Sequence, residues 1–137
     1  MIHKSQGSLW RKWDLHVHTP LSITQHYGGD TSETWERFFQ ELESLPPEIK
    51  VLGINDYIFI DGYERVVAEK AKGRLSNIDL ILPVIELRVE QFSGTSGDLN
   101  RINYHVIFSN EVPSAVIRNQ FIAALRASYK FSSEYDE

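Results

Sequence analysis

Two nearly continuous apolar runs, Ile49 to Asn55 and Asp79 to Leu87, restrict this chain more than any other feature. Runs of five to eight apolar residues, too short for buried helices, are expected of strands covered on both faces in a parallel sheet. A helical pattern precedes each of them. Trp35, Phe38, Phe39, Leu42 and Leu45 recur at helical spacing, after a start at Asp30 or Thr31 and before Pro46 and Pro47. Asp30 as the cap would put Glu33 in position for a capping box. A second helix is predicted over about Tyr63 to Lys72, with Tyr63, Val66, Val67 and Ala71 on one side and Gly73 at its close.

Upstream, Arg11 to His18 reads as a first strand, so the order is βαβαβ, which implies parallel strands joined by right-handed crossovers. The connection after the third strand differs. Residues 93–100 are rich in Ser and Gly without helical period, so the third strand continues to Phe92 and returns antiparallel through Arg101 to Ser109. If Phe92 faces Arg101, then Arg88 faces His105 and Glu86 lies diagonally from His105. Gly94 and Gly97 make no phosphate loop, since no Gly-Lys-Ser/Thr follows. Pro113 opens a last helix with a stripe of Ile117, Phe121, Ala124, Leu125 and Ser128. The expected fold class is α/β, with four to five strands, three helices and an antiparallel hairpin after the third strand. Residues 1–137 form one domain, with 1–9 a lead-in and 130–137 a frayed tail.

Candidate chemistry gathers near the strand ends. Alternation in the first strand puts Asp14, His16 and His18 on one face and Trp13, Leu15 and Val17 on the other. The two imidazoles lie about 7 Å apart along the backbone, close enough to reach one ion. Asp56 follows the second strand, either as a turn or cap residue or as part of a site. Glu86 stands inside an apolar run, where a carboxylate is costly to bury unless a cation meets it. That cation is either a metal or Arg88. His105 lies on a largely apolar strand, as a core histidine or as a ligand. His26 sits in a loop of some eleven residues, a length that favours a functional role.

Composition narrows the chemistry. The chain has 137 residues, 42% of them hydrophobic, which suits one domain with a core. It has no cysteine, so any metal must sit on His, Asp or Glu. The net charge is −5 with no long run of one sign, and nothing marks a nucleic-acid surface by charge alone. Arg11 and Lys12 are the main basic grouping, either a solvated strand start or a phosphate contact. No apolar stretch reaches membrane-spanning length and no apolar leader segment opens the chain, so a cytoplasmic protein is expected.

The segments Asp14 to Pro20, Gly53 to Tyr57, Pro83 to Leu87 and His105 to Ile107, in that order, resemble the first motifs of the PHP (polymerase and histidinol phosphatase) superfamily. With Trp10 to Trp13 and Gly62 to Glu64 they are most similar to the PHP domain at the head of TrlF-type SMC-like ATPase proteins. The resemblance implies the N-terminal portion of a distorted (βα)7 barrel and a metal-dependent phosphoesterase that uses metal-activated water. The substrate class it implies is nucleic acid, RNA or DNA, and the cofactors are two or three divalent ions, Mn, Zn or Fe. His16 and His18 would bind one ion, Glu86 would bridge, His105 would bind a neighbouring ion, and His26 would stand for a further ligand. Asp14 would orient His16, Asp56 would assist catalysis, and Arg11, Lys12 and Arg88 would meet the substrate. Two departures are visible. Tyr57 stands where the family has a histidine, and the family's later His and Asp-x-His motifs have no counterpart before Glu137. A catalytically silent module that docks a partner or fused ATPase is the alternative, and an open sheet edge is the expected route to a homo-oligomer.

Overall fold

The computed structural model describes residues 10–23, 27–94 and 100–128. Four strands, β1 (Lys12–Val17), β2 (Ile49–Asn55), β3 (Leu80–Ser93) and β4 (Asn100–Ile107), form one sheet in the order β1-β2-β3-β4. The first three are parallel and β4 runs antiparallel to β3. The sheet curls into a half-barrel. Helices α1 (Ser32–Glu43) and α2 (Asp61–Ala71) fill the two crossovers. A third helix, α3, is α-helical over Ser114–Val116, π-helical over Ile117–Ile122 and α-helical again over Ala123–Ser128. No helix among the described residues is long and apolar enough to cross a membrane.

Both faces of the central strands are buried, which accounts for their near-continuous apolar sequence. Leu52, Ile54, Ile81 and Ile85 pack with Trp35, Phe38, Phe39 and Leu42 of α1 and with Tyr63 and Val66 of α2. Each of the large α1 side chains, removed from water, contributes about 2 kcal/mol before the cost of ordering it. The alternate residues of β2 and β3, Val51, Gly53, Asn55, Leu82, Val84 and Glu86, belong to the opposite, concave face.

Several local expectations are corrected. Of the two expected starts of helix α1, Thr31 is the cap, its hydroxyl accepting from the Thr34 N–H while Thr34 closes the box, and the alternative with Asp30 and Glu33 is not formed. Asp30 accepts instead from the Trp35 indole at 2.7 Å. In α2, Val67 and Ala71 are exposed, because Tyr63 and Val66 set a narrower buried stripe. In α3 the stripe jumps from Ile117 to Ile122, both buried, and leaves Ala124 exposed. The π-turn, in which the Ala123 N–H bonds to the Arg118 carbonyl, adds a residue to that interval. The predicted lead-in, the tail over 130–137, the hairpin tip at 95–99 and His26 lie outside the described residues.

The strand β1 also departs from plain alternation. Asp14 pairs with Leu52 and Val17 with Ile54, so β1 spends one more residue than β2 over the same span. This β-bulge puts Asp14 and Val17 on the helix side and leaves His16 and His18 on the concave side. Trp13, in register with Val51, is 59% exposed on this outer strand, not packed on an apolar face with Val17.

Candidate metal centre

The position of each imidazole follows from how β1 is held. A Cβ at Gly53 would lie 2.8 Å from the Leu15 Cα and 2.9 Å from its carbonyl oxygen. The missing side chain therefore gives the bulged backbone of β1 room to cross β2. The carboxylate of Asp14 accepts the His16 backbone N–H at 3.1 Å. Asp14 thus stabilises the bulge and takes a backbone contact, where a bond to the His16 ring was expected.

Just beyond β1, the chain is pinned to the end of β2. Asp56, 1% exposed, accepts the Thr19 N–H at 2.8 Å and the Thr19 hydroxyl at 2.6 Å. Burial pushes the Asp56 carboxyl above its ordinary range, against the two Thr19 hydrogen bonds that lower it. Gly62 in the first turn of α2 closes over this pair, and a Cβ there would fall 1.8 Å from Asp56 Oδ2. Asp56 is therefore a latch between strands whose described contacts lie outside the imidazole cluster. Turning back from Thr19, the chain places the Ser22 hydroxyl 3.1 Å from His18 Nδ1. The other ring nitrogen of His18 is thereby aimed at the site.

Glu86 is the focus. It is 2% exposed, and its Oε2 lies 3.3 Å from His16 Nε2, 3.6 Å from His105 Nε2 and 3.9 Å from His18 Nε2. The Nε2 atoms of His16 and His18 are 3.0 Å apart. The rings of His18 and His105 each meet that of His16 edge-on, with centroids 4.9 and 4.8 Å apart. His105 stands directly opposite Glu86, not diagonal to it, because Arg88 pairs with Asn103 and the ladder shifts between Arg88 and Phe92. A carboxylate inside an apolar run is thus met by three imidazoles and by the amides of Asn55 and Asn103, at 2.7 and 2.6 Å.

His16, Glu86 and His105 form a group that could hold a metal ion, each offering one atom within 4.8 Å of the others. His105 Nε2 is buried and finds no hydrogen-bond partner. An unsatisfied imidazole nitrogen beside a buried carboxylate and two more imidazoles fits a cation that takes nitrogen and oxygen ligands. Burial, and then the neighbouring His16, hold the His18 imidazole below its ordinary value, with Glu86 pulling the other way. The neutral ring is the form that ligates.

Tyr57 has a φ of 56° and carries its ring 5.1 Å from that of His18. The left-handed backbone costs about 1 kcal/mol in a residue with a side chain. The turn is held by Phe59 N–H to the Asp56 carbonyl at 3.1 Å and Glu86 N–H to the Tyr57 carbonyl at 3.0 Å. Arg88 is exposed and leans over Tyr57, its guanidinium carbon 5.6 Å from the ring centre. Arg11 and Lys12 are not brought to this site. They sit at the start of β1, at the opposite rim, where they pair with Asp79 at 3.0 Å and Glu48 at 3.1 Å.

Asn55, Asn103, Gly53, Gly62 and Ser22 were not singled out as site residues by sequence. The two asparagines had a signal: Asn55 ends an apolar run, and Asn103 shares the period-two face of His105. The glycines and Ser22 act through chain segments far from their own motif or through a turn, and carry no such mark. No protein-family model matches this sequence, and neither a curated protein nor a solved structure matches it.

Proposed function

We propose that the chain is a metal-dependent phosphoesterase domain of the PHP type, the N-terminal portion of such a barrel, acting on phosphoester bonds of nucleic acid. The observation that carries the proposal is the convergence of His16 Nε2, His105 Nε2 and Glu86 Oε2 on one point, with His105 Nε2 otherwise unpartnered. His16, Glu86 and His105 would hold a divalent ion, Mn, Zn or Fe, with His18 beside them. Bound there, the ion would supply positive charge for phosphoryl oxygens and make water more acidic.

The chain's own residues do the rest. Glu86 offsets cation charge in a place closed to solvent, and Asn55 and Asn103 hold its carboxylate still. Ser22 keeps the His18 ring in line. Arg88, at the margin beside Tyr57, meets the phosphate with a planar fork of donors. The choice of nucleic acid over a small ester rests on the sequence resemblance.

Hydrolysis of a generic phosphodiester by Mn- or Zn-loaded protein, compared with a His16→Ala/His105→Ala double variant, tests the proposal. Loss of at least about a hundredfold is expected, and equal rates would defeat it. A second reading, a silent module that docks an ATPase, is favoured by exposed Trp13 on β1 and exposed Ile102, Tyr104 and Ile107 on β4, the two outer strands. Under that reading the two proteins are equally inactive, and the solution mass exceeds that of one chain.

A further inference from the structure

We infer that the cavity between the turn after β2 and helix α3 is a subsite for one unpaired nucleobase, so that the substrate is single-stranded where it meets this chain. The inference rests on the nucleic-acid reading above and names the form of that substrate. The cavity holds about 260 Å³ and is walled by Ile58 and Phe59 of the turn and by Asn119 and Ile122 of α3. Ile58 directly follows Tyr57, whose ring lies 5.1 Å from that of His18, so the cavity and the imidazole cluster share one turn.

Ile58 and Phe59 are half-buried, yet they are not among the side chains that pack on the core. Two large apolar side chains in a strand-to-helix turn, where small and polar residues are usual, thus line the cavity and not the interior. On the other wall, the π-turn over Ile117–Ile122 carries Arg118, Asn119 and Ile122, and such turns are frequent at functional sites. The volume falls below the roughly 300–1,000 Å³ of pockets for larger ligands and suits a single flat ring system. Charge selects which part of a nucleotide fits. The Arg118 guanidinium is already met by Glu64 at 2.7 Å and by Asp61 at 3.3 Å, so it is not free to take a phosphate. A neutral base calls for apolar walls and a side chain that both donates and accepts, which the Asn119 amide supplies. In a duplex the faces of a base are stacked and its edge is paired, so only an unpaired base can enter. The net charge of −5 fits the same substrate, since a duplex is held mainly by many cationic contacts to phosphate, whereas a single strand is also held through its bases.

Fluorescence anisotropy of a labelled single-stranded DNA oligonucleotide and of the matching duplex, each with the metal-free and the Mn-loaded chain, tests the inference. The single strand should bind at least about tenfold more tightly than the duplex in both cases. Phe59→Ala, which removes the aromatic wall, and Ala123→Phe, which fills the cavity, should each cost about tenfold in single-strand binding and leave duplex binding unchanged. A thermal melt accompanies each variant, and Ala123→Phe, at an exposed helix position, decides the result where Phe59→Ala lowers the melting temperature. Calorimetric uptake of Mn(II) should be the same in all three proteins, since neither residue belongs to the imidazole cluster. No binding of the single strand, equal affinity for single strand and duplex, or single-strand binding that Ala123→Phe leaves intact would overturn the inference, and the metal reading would stand if Mn(II) is still taken up. A single-strand preference that Ala123→Phe abolishes, in a chain that takes up no Mn(II), would uphold the subsite and defeat the metal reading.

Discussion

The two rims of the half-barrel carry similar polar side chains and put them to different use. At the start of the parallel strands, Lys12 pairs with Glu48, Arg11 with Asp79, and Lys50 reaches the Asn77 carbonyl at 2.8 Å. At the finish, His16, His18, Asn55 and Glu86 crowd together with His105, Asp56 is buried against Thr19 beside them, and two buried polar atoms, Asn55 Oδ1 and His105 Nε2, are left unsatisfied. The first group is open to water, where an ion pair gains little beyond what hydration already gives each partner. Glu86 and Asp56 are not, so each hydrogen bond there replaces one lost to burial and each unmatched atom carries a cost of about 1–3 kcal/mol. Burial, more than residue type, separates a solvated pair from a site that calls for a ligand.

Substitutions can break that contrast at known places. The largest effect is expected from Gly62→Ala, since the new carbon would overlap Asp56 Oδ2 and the Thr19 hydroxyl, buried side-chain atoms that can move aside only by giving up their hydrogen bond to each other. Destabilisation of about 3 kcal/mol or more, measured by denaturant unfolding, is expected. Gly53→Ala comes next, at about 1–3 kcal/mol. It should also weaken ion binding, because it lifts the bulge that aims His16 and His18, and this pairing of losses separates it from an ordinary core defect.

A smaller effect sharpens the electrostatic side. Burial raises the Asp56 carboxyl above its ordinary 3.8, so the folded protein holds that proton in a window where the unfolded chain has released it. The ionised group is a penalty above the folded value, and the penalty is relieved as pH falls towards 3.8. Relative to Asp56→Asn, the wild type should therefore gain stability as the pH is lowered from neutrality towards 3.8. At the other rim, Lys12→Ala should change stability by less than about 0.5 kcal/mol and leave ion binding untouched.

Much of this was legible from sequence because it depends on local period. The apolar runs placed β2 and β3, the helical spacing of Trp35 to Leu42 placed α1, and four ligand-type side chains, His16, His18, Glu86 and His105, meet in space. What was not legible depends on pairing between distant segments. The bulge in β1 sent Asp14 away from the face of His16, and its cause, the close approach of Leu15 to Gly53, has no local sign. The shift between Arg88 and Phe92 moved His105 from beside Glu86 to directly across from it, which brought in Asn103. Arg11 and Lys12 lie a few residues from His16 in sequence and yet a full strand length from the site, because β1 runs from one rim to the other.

X-ray absorption spectroscopy of the zinc-loaded chain tests the central claim most directly, since it reads the atoms around the ion itself. The account expects at least two imidazole nitrogens at about 2.0–2.1 Å with one carboxylate oxygen, and loss of that shell in His16→Ala/His105→Ala. Zinc surrounded by water and carboxylates alone, or an unchanged shell in the double variant, would contradict it.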